Sequence, residues 1–197
     1  MNLKEKKKLQ VEQMMREEIC AAVCRIMSKT SFQDMKMSDI AKETGVSKGT
    51  LYNYFESKEE LFAFLIDAME EECEARSTQV LNDETLTSKD KLVQYIKTIF
   101  GFAQTNITWI ILFYNYSNEF STLEEKRKKS FDKLKNRVLS ILNDGIETGD
   151  WIVEKPETRA WLLTLIIMES VHELVVNSDN CPSISDIIDV LIDGIDF

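Results

Sequence analysis

Ten residues, GVSKGTLYNY at positions 45–54, combine hydroxyls, a lysine and two glycines in a way that suits contact with an anionic polymer. Hydroxyls such as those of Ser47, Thr50 and Tyr52 donate hydrogen bonds to phosphate oxygens and to base edges. Ammonium groups neutralise phosphates, and glycine lets a backbone lie close to a ligand. Glycine and tyrosine are poor helix formers, so a segment that only fills a core has little reason to use them.

The surrounding stretch, residues 37–56, has the spacing of a helix-turn-helix. We expect a first helix over 37–44, a turn at Gly45, and a second helix that Ser47 caps and that runs from 48 to about 54. Four apolar residues are spaced to fill the gap between the helices: Ile40, Ala41, Val46 and Leu51. Six residues then face outwards: Ser47, Lys48, Gly49, Thr50, Tyr52 and Asn53. On spacing alone, a helical hairpin that exposes ordinary polar residues fits as well.

Charge is distributed unevenly along the 197 residues, whose formal net charge is −10. Residues 1–60 hold 11 Lys and Arg against 10 Asp and Glu, and residues 61–197 hold 13 against 24. Only the first part is therefore suited to approach a polyanion, and Lys48 and Lys58 are placed there to neutralise phosphates. The basic run at 4–8 either adds contacts to a nucleic-acid backbone or keeps the chain soluble.

The residue inventory argues against most other functions. The chain has one histidine and four cysteines, in no recognisable nucleophilic or metal-ligand spacing, and no glycine-rich phosphate loop. We therefore expect no catalysis, no cofactor and no metal. The cysteines are expected to be reduced and packed as small hydrophobes, with a redox-sensing pair at Cys20 and Cys24 as the alternative. The chain has no apolar run of about 20 residues and no secretory signal, which predicts a cytoplasmic protein.

Apolar periodicity predicts an all-α protein of about nine helices, with a polar junction near 70–85. The segment ITWIILFYNY at 107–116 has strand propensity, but no other segment offers a partner strand, so we predict a buried helix there. The stretch at 156–176 is apolar nearly all round, which predicts a helix buried on several sides. Ser57 with Glu60 and Ser88 are the predicted caps of two further helices.

Residues 32–66 resemble the DNA-binding domain of the TetR family of bacterial transcriptional regulators. The matching residues are DIAKETGVSKGTLYNYFESKEELF, and the later ILNDGIETGDWI resembles a recurrent pattern of the same family. The resemblance implies DNA contacts by eight residues: Lys36, Ser47, Lys48, Thr50, Tyr52, Asn53, Tyr54 and Lys58. Lys36 stands where many members have a threonine that caps the second helix and meets phosphate. A helix-turn-helix DNA-binding domain at 1–70 and a helical effector-binding and dimerisation domain at 71–197 are also implied.

The resemblance further implies a homodimer and a pocket for a small effector. Dimerisation is assigned to the helices near 156–176 and 183–195, with burial inside one chain as the alternative. Nine residues are the candidates for the pocket, with plain core packing as the alternative for each aromatic: Phe100, Trp109, Phe113, Tyr116, Phe120, Trp161, Met168, Glu169 and His172. The expected function is a repressor that a hydrophobic effector releases from a palindromic operator in double-stranded DNA. An architectural or protein-partnered co-regulator without such an effector is the alternative.

Overall fold

The computed structural model describes residues 2–27, 29–31, 33–116, 121–177 and 181–193, and within these ranges the chain forms nine α-helices and no strand. The helices are α1 Leu3–Met27, α2 Met37–Thr44, α3 Lys48–Tyr52, α4 Lys58–Leu81, α5 Ser88–Thr105, α6 Ile107–Tyr116, α7 Ser121–Thr148, α8 Pro156–Val176 and α9 Ile184–Asp193. The all-α prediction is confirmed, and the strand-like segment at 107–116 is helical. Within those ranges no single helix is long and apolar enough to cross a bilayer; α5 and α6 meet that test only jointly, across a 94° bend.

The chain divides into two compact units, Met1–Asp67 and Ala68–Phe197. In the first unit, α1, α2, α3 and the start of α4 enclose a core of fully buried side chains: Ile19, Ala22, Val23, Ile40, Leu51, Phe55, Leu61 and Phe62. Arg25 joins α1 to α2, since its Nε donates to Glu43 Oε1 at 2.8 Å while its Nη2 donates to Glu18 Oε1 at 2.9 Å. These hydrogen bonds raise the pKa of Arg25 and lower that of Glu43.

An aromatic pair anchors the chain directly after α3. Phe55 is completely buried, and its ring centre lies 5.4 Å from that of Phe64 on α4. The guanidinium carbon of Arg16 lies 4.9 Å from the centre of the Phe55 ring and 5.3 Å from that of Phe64. A cation over two aromatic faces is attracted by both ring quadrupoles. α1 and α4 therefore hold the segment that follows α3 in place, which leaves the start of α3 at the surface.

The second unit has one hydrophobic core, to which α5, α7, α8 and α9 contribute. Its fully buried members are Leu92, Ile96, Phe100, Val138, Leu142, Ala160 and Ile167, and Ile188 of α9 is 3% exposed. α7 and α8 pack along each other, and α5 contacts α7, α8 and α9. α6 packs on α8 with Leu112 buried, while Ile107 at its start is 46% exposed. The predicted burial of α6 is thus only partial.

Two glycines at the end of α7 have different structural tasks. A Cβ on Gly145 would lie 2.2 Å from the Trp151 ring, so the buried indole occupies the space that any side chain there would need. Trp151 Nε1 donates to the Leu142 carbonyl at 2.8 Å, which fixes the indole against α7. Gly149 follows the last residue of α7 with a φ of +79°, a left-handed conformation that glycine adopts without strain. Both glycines of ILNDGIETGDWI thus serve the turn from α7 towards α8.

Three predictions about helix ends and faces are wrong. α5 is capped by Thr87, whose Oγ1 accepts from the Asp90 N–H at 3.1 Å, and Ser88 is its first, buried residue. The apolar periodicity of the N-terminal stretch predicts a first helix from about Lys6 to Met27 with Val11 on its buried stripe. α1 instead begins at Leu3, and Val11 is 61% exposed because residues 3–11 of this helix are exposed throughout. α8 is not buried on several sides in the single chain, since a whole face of it is exposed.

Candidate nucleic-acid interface

The turn between α2 and α3 occupies three residues and depends on Gly45. Its φ of 71° and ψ of 13° are left-handed, a conformation that strains side chains other than glycine. The Gly45 N–H donates to the Lys42 carbonyl at 3.3 Å, and the Val46 N–H donates to the Ala41 carbonyl at 3.1 Å. The last carbonyls of α2 are satisfied in this way, and the chain enters α3 as the helix-turn-helix spacing predicted.

α3 is five residues long, two fewer than predicted, and Ser47 stabilises its start. Ser47 Oγ accepts from the Thr50 N–H at 3.0 Å. The hydroxyls of the two residues also lie 2.8 Å apart and share a hydrogen bond. That bond uses one of their two hydroxyl protons, so the pair retains a proton for an external acceptor. The residue that caps α3 and the residue predicted to contact DNA are therefore the same.

The two faces of α3 have opposite environments. Leu51 has no exposed surface, whereas Tyr52, the next residue, is 41% exposed. Ser47, Lys48, Gly49 and Asn53 are exposed, and Thr50 is half-buried. Lys48 Nζ lies 6.0 Å from the centre of the Tyr52 ring, which places an ammonium and a phenol on the same side of the helix. Hydroxyls, a cation and an amide thus form one polar surface, which we name the α3 surface: residues 47, 48, 49, 50, 52 and 53.

Gly49 has no structural reason to be glycine within the chain itself. A Cβ there would meet only Ser47 Oγ at 3.9 Å, an ordinary contact, and the residue does not have a left-handed φ. Glycine in a helix is less stable than alanine by roughly 0.5–1 kcal/mol. The residue therefore weakens an already short helix without a packing or conformational benefit, which is expected where a backbone must approach a ligand.

Three further residues were predicted to contact DNA, and two of them also hold the first unit together. Lys36 is exposed, and its N–H donates to Asp39 Oδ2 at 2.9 Å, which ties the residue before α2 to the first turn of that helix. Lys58 is half-buried at the start of α4, and its Nζ donates to the Gln33 carbonyl at 3.2 Å. Tyr54 is half-buried in the turn after α3. Lys36 is the most accessible of the three.

The residues predicted to line an effector pocket do not form one set. Phe100 has no accessible surface and lies inside the hydrophobic core of the second unit. Trp161 is 47% exposed on the outward face of α8, away from the buried Phe100. Trp109 is half-buried on α6. Phe120 and the side chain of Tyr116 lie outside the described residues.

Four of the remaining candidates lie together where α6 packs on α8: Phe113, Met168, Glu169 and His172. They surround Tyr114, which was not among the predicted residues. Tyr114 donates its hydroxyl proton to the Met168 carbonyl at 2.7 Å, and its ring centre lies 4.5 Å from that of His172. The Phe113 ring lies edge-on to Tyr114 at 5.7 Å, and His172 Nδ1 lies 3.7 Å from Glu169 Oε1. Burial, and secondarily the Glu169 carboxylate, raise the pKa of Tyr114, so the phenol remains a donor at neutral pH.

A separate groove of about 150 Å³ lies between α5 and α9. Its lining consists of Lys89, Val93, Lys97, Ser185, Ile188, Asp189 and Ile192. None of the nine residues predicted to line an effector pocket is among them. The sequence therefore gave no indication of this groove.

Comparison with known proteins relates the first unit to one family. The model for bacterial regulatory proteins of the tetR family matches residues 19–65. Nucleoid occlusion factor SlmA from Haemophilus influenzae (strain PittGG) is 28% identical over 134 residues. The match covers 67% of this chain but only 61% of that protein.

Solved structures share the fold across both units. A TetR transcription regulator from Haloarcula marismortui has a TM-score of 0.82 at 18% identity, with 94% of this chain and all of that chain covered. FadR from Bacillus subtilis, crystallised in complex with stearoyl-CoA, has a TM-score of 0.75 at 24% identity, with 91% of this chain and 98% of that chain covered. At these identities the likeness concerns the fold.

Proposed function

We propose that this chain, which belongs to the tetR family of bacterial regulatory proteins and binds DNA as they do, is a homodimeric repressor that a hydrophobic effector releases from a palindromic operator. The observation that carries the proposal is the α3 surface. Leu51 satisfies the packing needs of α3, yet the neighbouring positions carry an exposed tyrosine and a glycine without a structural task. Both are explained if this surface enters the major groove.

The roles of the side chains follow from their chemistry. The Ser47–Thr50 hydroxyl pair and Tyr52 are donors for phosphate oxygens or base edges. Lys48 and Lys36, both exposed, neutralise phosphates. Lys58 contributes less freely, because its Nζ also holds the loop at Gln33. One helix of five residues contacts few bases, so specific binding requires a second copy on an adjacent half-site.

The outward face of α8 supports the proposed dimer. Four large apolar side chains on it are 40–47% exposed: Trp161, Leu162, Leu165 and Ile166. The opposite face of the same helix packs into the core through Ala160, Leu163 and Ile167. A contiguous apolar patch on one helix is unfavourable in water and is typical of a protein interface. A second copy of α8, with α9 beside it, would cover this patch in the dimer that we propose.

The contact between α6 and α8 supports control by an effector. Tyr114 links α6 to the Met168 carbonyl of α8, the helix that we assign to the dimer. A ligand that displaced α6 would therefore move α8 as well. A coupling free energy of about 1–3 kcal/mol would change the operator affinity by roughly 5–150-fold. The stearoyl-CoA complex of the Bacillus subtilis FadR favours an apolar effector with a long chain.

A second candidate is a DNA-binding protein that acts through a protein partner and has no small effector. The similarity to nucleoid occlusion factor SlmA, at 28% identity, supports it. The two candidates share the α3 surface and the dimer. They differ in whether a small molecule changes the affinity for DNA.

Selection of duplexes from a random library tests the shared part. We expect enrichment of a palindrome, bound by two chains, and fluorescence anisotropy then measures affinity for it with and without long-chain acyl-CoAs and cell extract. Failure to enrich any sequence would contradict sequence-specific binding. Enrichment with an affinity that no acyl-CoA and no extract changes would favour the protein-partnered candidate.

A further inference from the structure

One row of exposed and half-buried side chains on α8 has alternating spacings of three and four. Its members are Leu162, Leu165, Glu169, His172 and Val176. This spacing brings successive side chains onto the line along which two helices pair. Three of the five are apolar and 40–47% exposed, which fits pairing with a second copy. The two central positions instead carry a carboxylate and an imidazole, which are costly to bury without a partner.

Glu173 completes a cluster of three donors with these two residues. One donor atom each from Glu169, His172 and Glu173 lies within 4.8 Å of the others. His172 Nδ1 is 3.7 Å from Glu169 Oε1, too far for a hydrogen bond. Two ligands of a tetrahedral ion with bonds of about 2.0–2.1 Å lie roughly 3.4 Å apart. The imidazole and the carboxylate are therefore near the separation that a bound ion requires.

Two of the three donors are held in orientation by neighbouring groups. The His172 ring lies against the Tyr114 ring at 4.5 Å, and the Tyr114 hydroxyl is fixed on the Met168 carbonyl. Glu173 Oε2 accepts from Asn177 Nδ2 at 2.8 Å. Such supporting contacts keep metal ligands in place and reduce the cost of ordering them. Glu169 is 72% exposed at its side chain, so it has room to close on an ion.

We propose that Glu169, His172 and Glu173 bind one Zn²⁺ per chain, with a fourth position open to water, and that this ion strengthens the pairing of α8 with a second copy. The set of one nitrogen and two carboxylates suits a borderline ion, whereas Mg²⁺ and Ca²⁺ prefer oxygen ligands alone. The coupling rests on the proposed dimer. Pairing removes water from the two carboxylates, the ion neutralises them, and each event therefore favours the other.

The metal site is tested on the untagged full-length chain by Co²⁺ absorption and by Zn²⁺ content after dialysis. We expect one equivalent per chain, with visible bands typical of low-coordinate Co²⁺ and no thiolate charge-transfer band. Glu169→Gln and His172→Phe, which keeps an aromatic ring against Tyr114, should lower the affinity at least about tenfold. Glu157→Gln removes an exposed carboxylate from the same helix and should change nothing. Equal binding by all four proteins, or thiolate bands, would overturn the site.

Sedimentation equilibrium with Zn²⁺ or with EDTA tests the coupling. The wild-type dimer should tighten about tenfold or more with Zn²⁺. Glu169→Gln should dimerise more tightly than wild type in EDTA and should not respond to Zn²⁺. A dimer whose strength ignores Zn²⁺, although the cluster binds the ion, would overturn the placement of the site at the paired face. A chain that binds Zn²⁺ through the cluster but stays monomeric would refute the proposed dimer and leave the metal site standing.

Discussion

Replacing Gly49 by alanine should stabilise the chain and weaken its binding to DNA. The added Cβ meets only Ser47 Oγ, 3.9 Å away, so the folded chain accommodates it without strain. Alanine restricts the unfolded chain and favours the helix, by about 0.5–1 kcal/mol. For a cooperative unit of this size that corresponds to a rise in Tm of roughly 1–4 °C.

The loss of binding follows from the position of Gly49 on the α3 surface. A methyl group there pushes the backbone away from a phosphate that Gly49 lets it approach. Loss of one hydrogen bond to a charged group costs about 1.5–3 kcal/mol, which is roughly 10–150-fold in Kd. Thermal unfolding by circular dichroism and anisotropy with the selected duplex measure the two effects on the same preparation.

Two other glycines serve as controls. Gly101 lies within α5 with no atom within 4 Å of an added Cβ, so Gly101→Ala should raise Tm and leave DNA binding unchanged. Gly145→Ala should destabilise the chain by about 1–3 kcal/mol, because the new Cβ overlaps the buried Trp151 ring. If Gly49→Ala is more stable than wild type but binds the operator as tightly, the backbone at residue 49 does not approach DNA, and close contact with DNA is not the reason for glycine at this position.

Three further results are expected. Tyr52→Ala should abolish selective operator binding with no change in Tm. Leu51→Ala should instead destabilise the fold by about 2–5 kcal/mol. If both variants have the same effect on DNA binding and on Tm, the division of α3 into a buried and an exposed face is refuted. Leu165→Glu should turn the dimer into a folded monomer on gel filtration. Ile152→Glu, at a 76% exposed residue outside the helices, should leave the dimer intact. A dimeric Leu165→Glu would contradict the α8 interface. Burial raises the pKa of Cys20 to about 12, so its thiolate forms only at high pH. Alkylation of Cys20 at pH 8 should therefore be roughly 10²–10³ times slower in the folded chain than in the urea-unfolded chain. Equal rates would show that the thiol is not buried.

The sequence by itself determined the helix-turn-helix and the bounds of several helices. α2 and α8 begin and end at the predicted residues, because Gly45 and Pro156 act through the backbone of their immediate neighbours. The exposure of Tyr52 and Asn53 was likewise predictable, since a helix of known phase that must bury Leu51 turns these two positions away from the core.

Only the tertiary structure decided which side of each long helix meets which neighbour. Tyr114 meets α8 by a hydrogen bond, Phe100 is fully buried in the core, and one apolar face of α8 is left uncovered. The need for glycine at position 145 is explained only by the Trp151 indole, which packs where a side chain of residue 145 would lie. Helix formation depends on contacts within about four residues, which a sequence displays directly. Burial depends on segments from elsewhere in the chain. α6 and α8 are apolar on more than one face, so their periodicity is compatible with several packings, and contacts with the other helices determine which one forms.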